Sequence, residues 1–201
     1  EIIKSGMNLF GWRLVPVNSS ISGEIANYTR PEIEQLIFSP KEKNPNIEKT
    51  LYLTRRRIEN KIKSLNISNF YICSLSSEVI VYKGMFLAEQ LSSFYPDLLD
   101  PDFKSKFAVY HQRYSTNTFP TWSLAQPFRV LAHNGEINTL KGNLNWMKAH
   151  ETRITDDFFG DRVEDLKPIL DSDASDSASL DAAFEILLQT DRSLPMTKSM
   201  I

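Results

Sequence analysis

Folding of this chain is most constrained where the apolar run Phe128-Arg129-Val130-Leu131 passes into Ala132-His133-Asn134-Gly135-Glu136-Ile137-Asn138. The run reads as a strand. Asn-Gly at its end is either a plain tight turn or a device that aims a side-chain amide and a backbone N–H at one point, as an oxyanion requires. Two further polar stretches belong with it: His111-Gln112-Arg113-Tyr114-Ser115-Thr116-Asn117-Thr118 upstream and Ser175-Asp176-Ser177-Ala178-Ser179-Leu180-Asp181 downstream. A donor pair, a fixed cation and a fixed carboxylate together describe a pocket for an amino acid.

The 201 residues suit one large domain or two small ones, with material for a buried core. A net charge of −2 gives no reason to expect nucleic acid or an anionic membrane as partner. No apolar run approaches the ~20 residues that span a bilayer, and these residues carry no cationic, apolar, small-residue signal-peptide pattern. Cys73 is the sole cysteine, which excludes an internal disulfide, argues against a metal cluster within the chain and fits a reducing compartment. The sequons at Asn18, Asn27 and Asn66 are then read as chance. The chain begins at Glu1 rather than Met and stops at Ile201 after an apolar helical run, so both ends are expected to be cuts within a longer polypeptide.

Local patterns predict alternating elements. Residues 9–17 read as a β segment ended by Pro16, and 30–37 as a short helix with Pro31 in its first turn. A loop over 39–50 is followed by a strand at Leu51-Tyr52-Leu53, then by a helix carrying Ile58, Ile62 and Leu65 with a basic outer face. Phe70–Leu75 and Val79–Tyr82 read as a hairpin, and Leu87, Leu91 and Phe94 mark a helix closed by Pro96. Residues 106–111, apolar on both faces, read as a central buried strand. Leu140, Leu144 and Met147 mark a helix that Gly142 weakens. The last helix has Leu180, Phe184, Leu187 and Leu188 as its apolar stripe and Ser175, Asp176 and Ser177 at its cap. Segment 150–173 reads as a long surface connection. The order of elements predicts layered α+β rather than a doubly wound parallel sheet.

The block from Tyr110 to Trp122, Leu124-Ala125-Gln126-Pro127-Phe128-Arg129, and His133–Leu140 with Gly142-Asn143 and Trp146 resembles the glutamine amidotransferase domain of glutamate synthase. Ser175–Asp181, Gly11-Trp12-Arg13 with Val15-Pro16-Val17, and Phe70-Tyr71 with Ser74–Ser77 extend the resemblance to nearly the whole chain. It implies a class II amidotransferase domain over 1–201, truncated at both ends. The implied fold is the N-terminal-nucleophile hydrolase type, a four-layer αββα sandwich with two antiparallel sheets. The implied reaction hydrolyses L-glutamine to glutamate and ammonia, which passes through the protein to 2-oxoglutarate.

By the same resemblance Arg113 holds the glutamine α-carboxylate, a task for a planar, always-charged fork. Asn134 and Gly135 are the oxyanion pair, each donor worth ~3–4 kcal/mol in the transition state. Asp176 binds the α-ammonium, the alternative being a helix cap that is compatible with that role; Thr116 adds a hydroxyl contact or stabilises an ST turn. Asp171, Asp173 and Asp181 could mimic a cation site but are read as loop solvation and capping, with no metal expected. His111 is read as a satisfied histidine with no proton-transfer role.

The family's nucleophile is a mature N-terminal cysteine whose α-amino group, with a pKa near ~8, accepts the thiol proton. Glu1 stands at the start here and Cys73 reads as an ordinary strand residue, so these 201 residues alone are expected to release no ammonia from glutamine. The parent expected from the resemblance binds FMN and an iron–sulfur cluster in later domains. It takes electrons from ferredoxin or a nicotinamide-dependent subunit. Frequent Ile, Asn, Lys and Ser fit an AT-rich coding sequence, hence a plastid stroma or a bacterial-type cytoplasm. Two other readings stay open: an amidotransferase that feeds ammonia to an amino sugar or nucleotide precursor, and a non-catalytic glutamine-binding domain.

Overall fold

The computed structural model describes residues 1–116, 118–137, 139–154, 158–171 and 174–201. In chain order the elements are β1 (Met7–Leu14), α1 (Glu24–Tyr28), β2 (Glu34–Pro40), α2 (Ile47–Ser64), α3 (Leu91–Phe94), α4 (Leu140–Glu151), α5 (Asp176–Leu188) and α6 (Leu194–Met200). Short 3₁₀ turns at Ile3–Ser5, Ser19–Ile21, Ala88–Gln90, Pro96–Leu99 and Gly160–Leu166 join them. This is α+β. Among the described residues the sheet is the antiparallel pair β1–β2, with Met7 opposite Pro40, Leu14 opposite Glu34 and a bulge between Leu9 and Gly11.

Several sequence expectations are corrected by this arrangement. The helix expected at 30–37 is replaced by β2 from Glu34 onward, because Leu36, Ile37 and Phe38 complete the ladder to β1. Tertiary pairing outweighs a weak local helix signal there. The strand expected at Leu51-Tyr52-Leu53 is the second turn of α2, and the expected loop ends at Ile47. Leu51 through Arg55 are all buried, so this turn is covered on every side and shows no amphipathic period. The expected hairpin forms no ladder among the described residues. Its Ser76–Ser77 turn is held instead by Glu48 of α2, which accepts from the Ser76 and Ser77 hydroxyls at 2.7 and 2.6 Å.

Segment 106–110 is exposed irregular chain rather than a central strand; Phe107 and Tyr110 are 80% and 77% exposed. Without a ladder partner on either side it has nothing to be central to. Residues 128–131 are likewise not a strand. Their backbone folds back so that Phe128 N–H donates to Leu131 O at 2.9 Å. Finally, the supposed surface connection 150–173 contributes Phe159, Leu166, Ile169 and Leu170 to a buried cluster. Of that segment, residues 155–157 and 172–173 lie outside the described ones.

Three clusters of buried side chains make the core. Tyr52 and Leu53 of α2 meet Phe159, Leu166, Ile169, Leu170 and Ile186. Val15, Ala26, Phe94, Tyr95 and Trp122 form a second cluster, where the Trp122 indole N–H donates to Ala26 O at 3.1 Å. Ile2, Met7 and Leu51 form the third. Helix α2 touches the first and third and so carries the fold.

Candidate functional site

Helix α5 begins as its sequence dictates. Ser175 is the N-cap and its hydroxyl accepts from Ala178 N–H at 3.0 Å. Asp176 follows in the first turn, where an anion suits the helix dipole. The buried face of α5 nonetheless differs from the expected stripe of leucines. It carries Asp176, Ser177, Ser179, Asp181, Phe184, Glu185 and Ile186, whereas Leu180, Leu187 and Leu188 are half-buried. Polar groups can occupy a buried face because they are paired.

Asp181 is the clearest case. Its carboxylate accepts from the backbone N–H groups of Arg129, Val130 and Leu131 at 3.3, 2.8 and 3.1 Å. Three consecutive amides turned to one carboxylate cannot join a strand ladder, which is why 128–131 forms a loop. Burial pushes the Asp181 carboxyl above its ordinary value, while these amides pull the other way. Asp181 thus caps a loop. Asp171 is exposed, Asp173 lies outside the described residues, and among the described residues no three His, Cys, Asp or Glu side chains gather to hold a metal.

The loop that Asp181 anchors leads to His133. Gln126 clamps the His133 backbone from both sides: its Oε1 accepts from His133 N–H at 2.7 Å, and its Nε2 donates to His133 O. Asn134 then projects outward and Gly135 is buried with φ +75°. A Cβ at Gly135 would lie 2.1 Å from Ser115 Oγ and 2.6 Å from Ser115 Cα, so two backbone segments meet here at a distance only glycine permits.

All three polar stretches converge at this junction. Ser115 Oγ donates to Asp176 Oδ1, Ile137 N–H reaches Asp176 Oδ2 at 3.4 Å, and Thr116 Oγ1 donates to Gly135 O at 3.1 Å. Asp176, 1% exposed, also accepts from Ser177 N–H at 2.6 Å. It is the staple of the three loops. His111 bridges the outer side, with Nε2 3.0 Å from Asn134 Oδ1 and Nδ1 3.0 Å from the Arg113 N. Gly135 N–H is directed at His133 Nδ1, 3.0 Å away.

An open cavity of about 410 Å³ lies over this junction, lined by His111, Ala132, His133, Asn134 and Glu136. Of the residues singled out by sequence, Asn134 lines it, Gly135 and Asp176 lie buried beside it, and Arg113 and Thr116 are exposed on the adjoining loop. Asn117 and Asn138, which belong to the same motifs, lie outside the described residues. Sequence reasoning overlooked Ser115, Gln126, His133 and the amide-capping role of Asp181. Ser115 and His133 sit inside the quoted motifs, but nothing in their spacing reveals that their partners lie far along the chain.

Cys73 is half-buried, and burial pushes its thiol up, away from the thiolate. Lys83 is buried near it, its ammonium donating to Ser123 O at 2.7 Å and stacked over Tyr71. Burial pushes the Lys83 pKa down to about 8.

Comparison with known proteins follows the same lines. Over all of its length the chain is 59% identical to the large chain of glutamate synthase [NADPH] from Azospirillum brasilense, spanning 13% of that protein. Against the chloroplastic ferredoxin-dependent glutamate synthase of Oryza sativa subsp. japonica the identity is 49% over 94% of this chain and 12% of the relative. The corresponding Bacillus subtilis large chain is 44% identical over the whole chain and 13% of its own length. The chain therefore spans about an eighth of these relatives. The family described as glutamine amidotransferases class-II matches residues 1–201, and the chain belongs to that family.

Proposed function

We propose that this chain is part of the glutaminase domain of a glutamate synthase, binding L-glutamine and stabilising the oxyanion formed as its side-chain amide is hydrolysed. The ammonia released is passed to 2-oxoglutarate elsewhere in the parent protein. The observation that carries this reading is the convergence of the 111–116, 133–137 and 175–177 loops on one junction beside an open cavity. The names of the relatives, all synthases, favour it over amino-sugar or nucleotide amidotransferases and over a non-catalytic binder.

In this mechanism the amide carbonyl oxygen gains negative charge on attack. The Asn134 side-chain amide and the Gly135 N–H supply the donors, with Gly135 exchanging its bond to His133 Nδ1 for one to the oxyanion. Arg113 binds the α-carboxylate through its guanidinium fork, with Thr116 beside it. Asp176 binds the α-ammonium while stapling the loops. Cys73, half-buried and with its thiol pushed up by burial, is not assigned as the attacking group. Residues 1–201 are part of a single domain that extends past both ends, and its complete form is the four-layer αββα sandwich of N-terminal-nucleophile hydrolases.

The parent is further proposed to carry FMN and an iron–sulfur cluster and to draw electrons from ferredoxin or a nicotinamide-dependent subunit. It would act in a plastid stroma or a bacterial-type cytoplasm. A cluster needs several thiolates, and with one cysteine these residues do not fit it.

The test is Arg113→Lys in the full-length protein. Replacing a bidentate fork by a point charge is expected to raise the KM for glutamine about tenfold. The ammonia-dependent reaction, which bypasses the glutamine site, should be unchanged. Unaltered glutamine kinetics would remove Arg113 from this role.

A further inference from the structure

His111 touches both halves of the candidate site. Its Nδ1 lies 3.0 Å from the Arg113 N and 2.8 Å from the Arg113 carbonyl oxygen, and its Nε2 lies 3.0 Å from Asn134 Oδ1. Protonation decides which of these contacts are bonds. The neutral Nε2–H tautomer accepts the Arg113 N–H at Nδ1 and donates to Asn134 Oδ1, satisfying two contacts of three. The neutral Nδ1–H tautomer satisfies the Arg113 carbonyl alone and sets the Nε2 lone pair against the oxygen of Asn134. The imidazolium donates through Nε2 as well. Both forms that fit therefore place a donor against Asn134 Oδ1.

These forms match the Asn134 amide as the structure places it, with its oxygen toward the imidazole. With its oxygen held by the imidazole, Asn134 presents its Nδ2–H₂ end to the cavity that both residues line. A half-turn of the amide would present the oxygen instead, which repels a developing oxyanion. Asn134 is exposed, and an exposed amide has no packing of its own to choose between the two orientations. Resting on the oxyanion role proposed for Asn134, we infer that His111 is the positioning residue that sets the polarity of the Asn134 amide. The Arg113 backbone in turn holds the imidazole, so the α-carboxylate loop and the oxyanion donor share one side chain. His111 transfers no proton in this scheme.

Two conservative variants separate this role from a purely structural one. In Gln the side-chain nitrogen replaces Nε2 and still reaches Asn134. In Asn the shorter amide replaces Nδ1, keeping the contact to Arg113 but losing Asn134. In the full-length protein, His111→Asn is expected to lower the glutaminase kcat about tenfold or more, short of the roughly 100-fold that loss of an oxyanion donor costs. KM should stay within about twofold, because only transition-state binding is affected. His111→Gln should restore most of the kcat. Made in an Asn134→Ala background, His111→Asn should cost less than about threefold, since the group it acts through is gone.

Full loss persisting in that background overturns the inference. So does an unchanged kcat in His111→Asn, a change in KM alone, or a Gln variant as impaired as the Asn one. If Asn134→Ala itself leaves kcat intact, the oxyanion role fails and this inference falls with it. If Asn134→Ala is impaired while His111→Asn is normal, the inference alone fails.

Discussion

Gly135 carries two constraints that no other residue satisfies together. Its φ of +75° lies in the left-handed region, and its Cα faces Ser115 so closely that any Cβ would strike that residue's side chain and backbone. Gly135→Ala is therefore expected to destabilise the protein by about 1–3 kcal/mol through strain and steric overlap. It should also push Ser115 away from Asp176 and open the loop junction. Thermal melting of the variant against the parent checks the first effect, and the glutaminase kcat of the full-length protein checks the second. A melting temperature equal to the parent's would show that the loops separate freely.

At this scale the candidate site was partly legible. Asn134, Gly135, Arg113, Thr116 and Asp176 could be singled out because they stand inside long, distinctive motifs. The partners that hold them could not. Gln126 clamping His133, Asp181 capping the amides of 129–131, and Ser115 donating to Asp176 are contacts between residues 7 to 61 positions apart. Such pairs leave no periodicity and no composition signal.

Among elements, the decisive contact is between α2 and α5. Arg55, 2% exposed, donates to Glu59 at 2.8 and 2.9 Å and to Glu185 of α5 at 2.6 Å. Glu59 also receives Arg56 at 2.9 Å and Arg129 at 3.1 Å, and Arg129 stands at the start of the loop that leads to Asn134. Burial works against ionising Glu59, yet Arg55, Arg129 and Arg56 together hold its carboxyl below the usual range. Replacing Arg55 by Met would take the guanidinium away from Glu185 and leave Glu59 with Arg56 and Arg129 alone. The expected loss is about 3–5 kcal/mol, the usual cost of breaking rather than replacing a buried ion pair. Urea denaturation would read it as a lower midpoint with an unchanged slope. A midpoint within error of the parent's would mean the network adds nothing to stability.

The same contact explains why elements were misread. A helix is recognised by one apolar face, but α2 is buried all round at Leu51–Arg55 and α5 buries paired charges. Helices α4 and α5 and strand β1 were nonetheless legible from their spacing and punctuation. The elements at 30–40 and 47–55 were not, because their identity depends on β1 and on the clusters they pack against.

For the molecule as a whole, the α+β class followed from the order of elements, while the way the pieces are tied did not. One tie joins β1 to the turn that follows α3. Arg13 Nη1 and Nη2 donate to the Asp97 carboxylate at 2.7 and 2.6 Å, Tyr82 OH adds a bond at 3.0 Å, and Arg13 also reaches Gln35 of β2 at 2.8 Å. Asp97 is separated from Arg13 by α1, β2, α2 and α3, and from Tyr82 by the whole Ala88–Phe94 helical turn. A fork matched to both carboxylate oxygens is the geometry in which a partly exposed pair still contributes.

This tie gives the fold a defined acid response. The hydrogen bond from Arg13 holds the Asp97 carboxyl below the ordinary carboxylate range. A group whose pKa is depressed on folding stabilises the folded state above its unfolded value, near ~4, and that contribution disappears as pH falls toward the folded value. Glu59, depressed in the same direction by its three arginines, acts with the same sign. The melting temperature is therefore expected to fall on acidification from about pH 5 downward, where paired carboxylates take up protons. Asp97→Asn should melt lower than the parent at neutral pH, where the ionised pair is intact, and the gap should close in acid. Circular dichroism melts of both proteins across that range decide the matter. A gap that stays constant with pH would mean that Asp97 acts through packing, with its charge uninvolved.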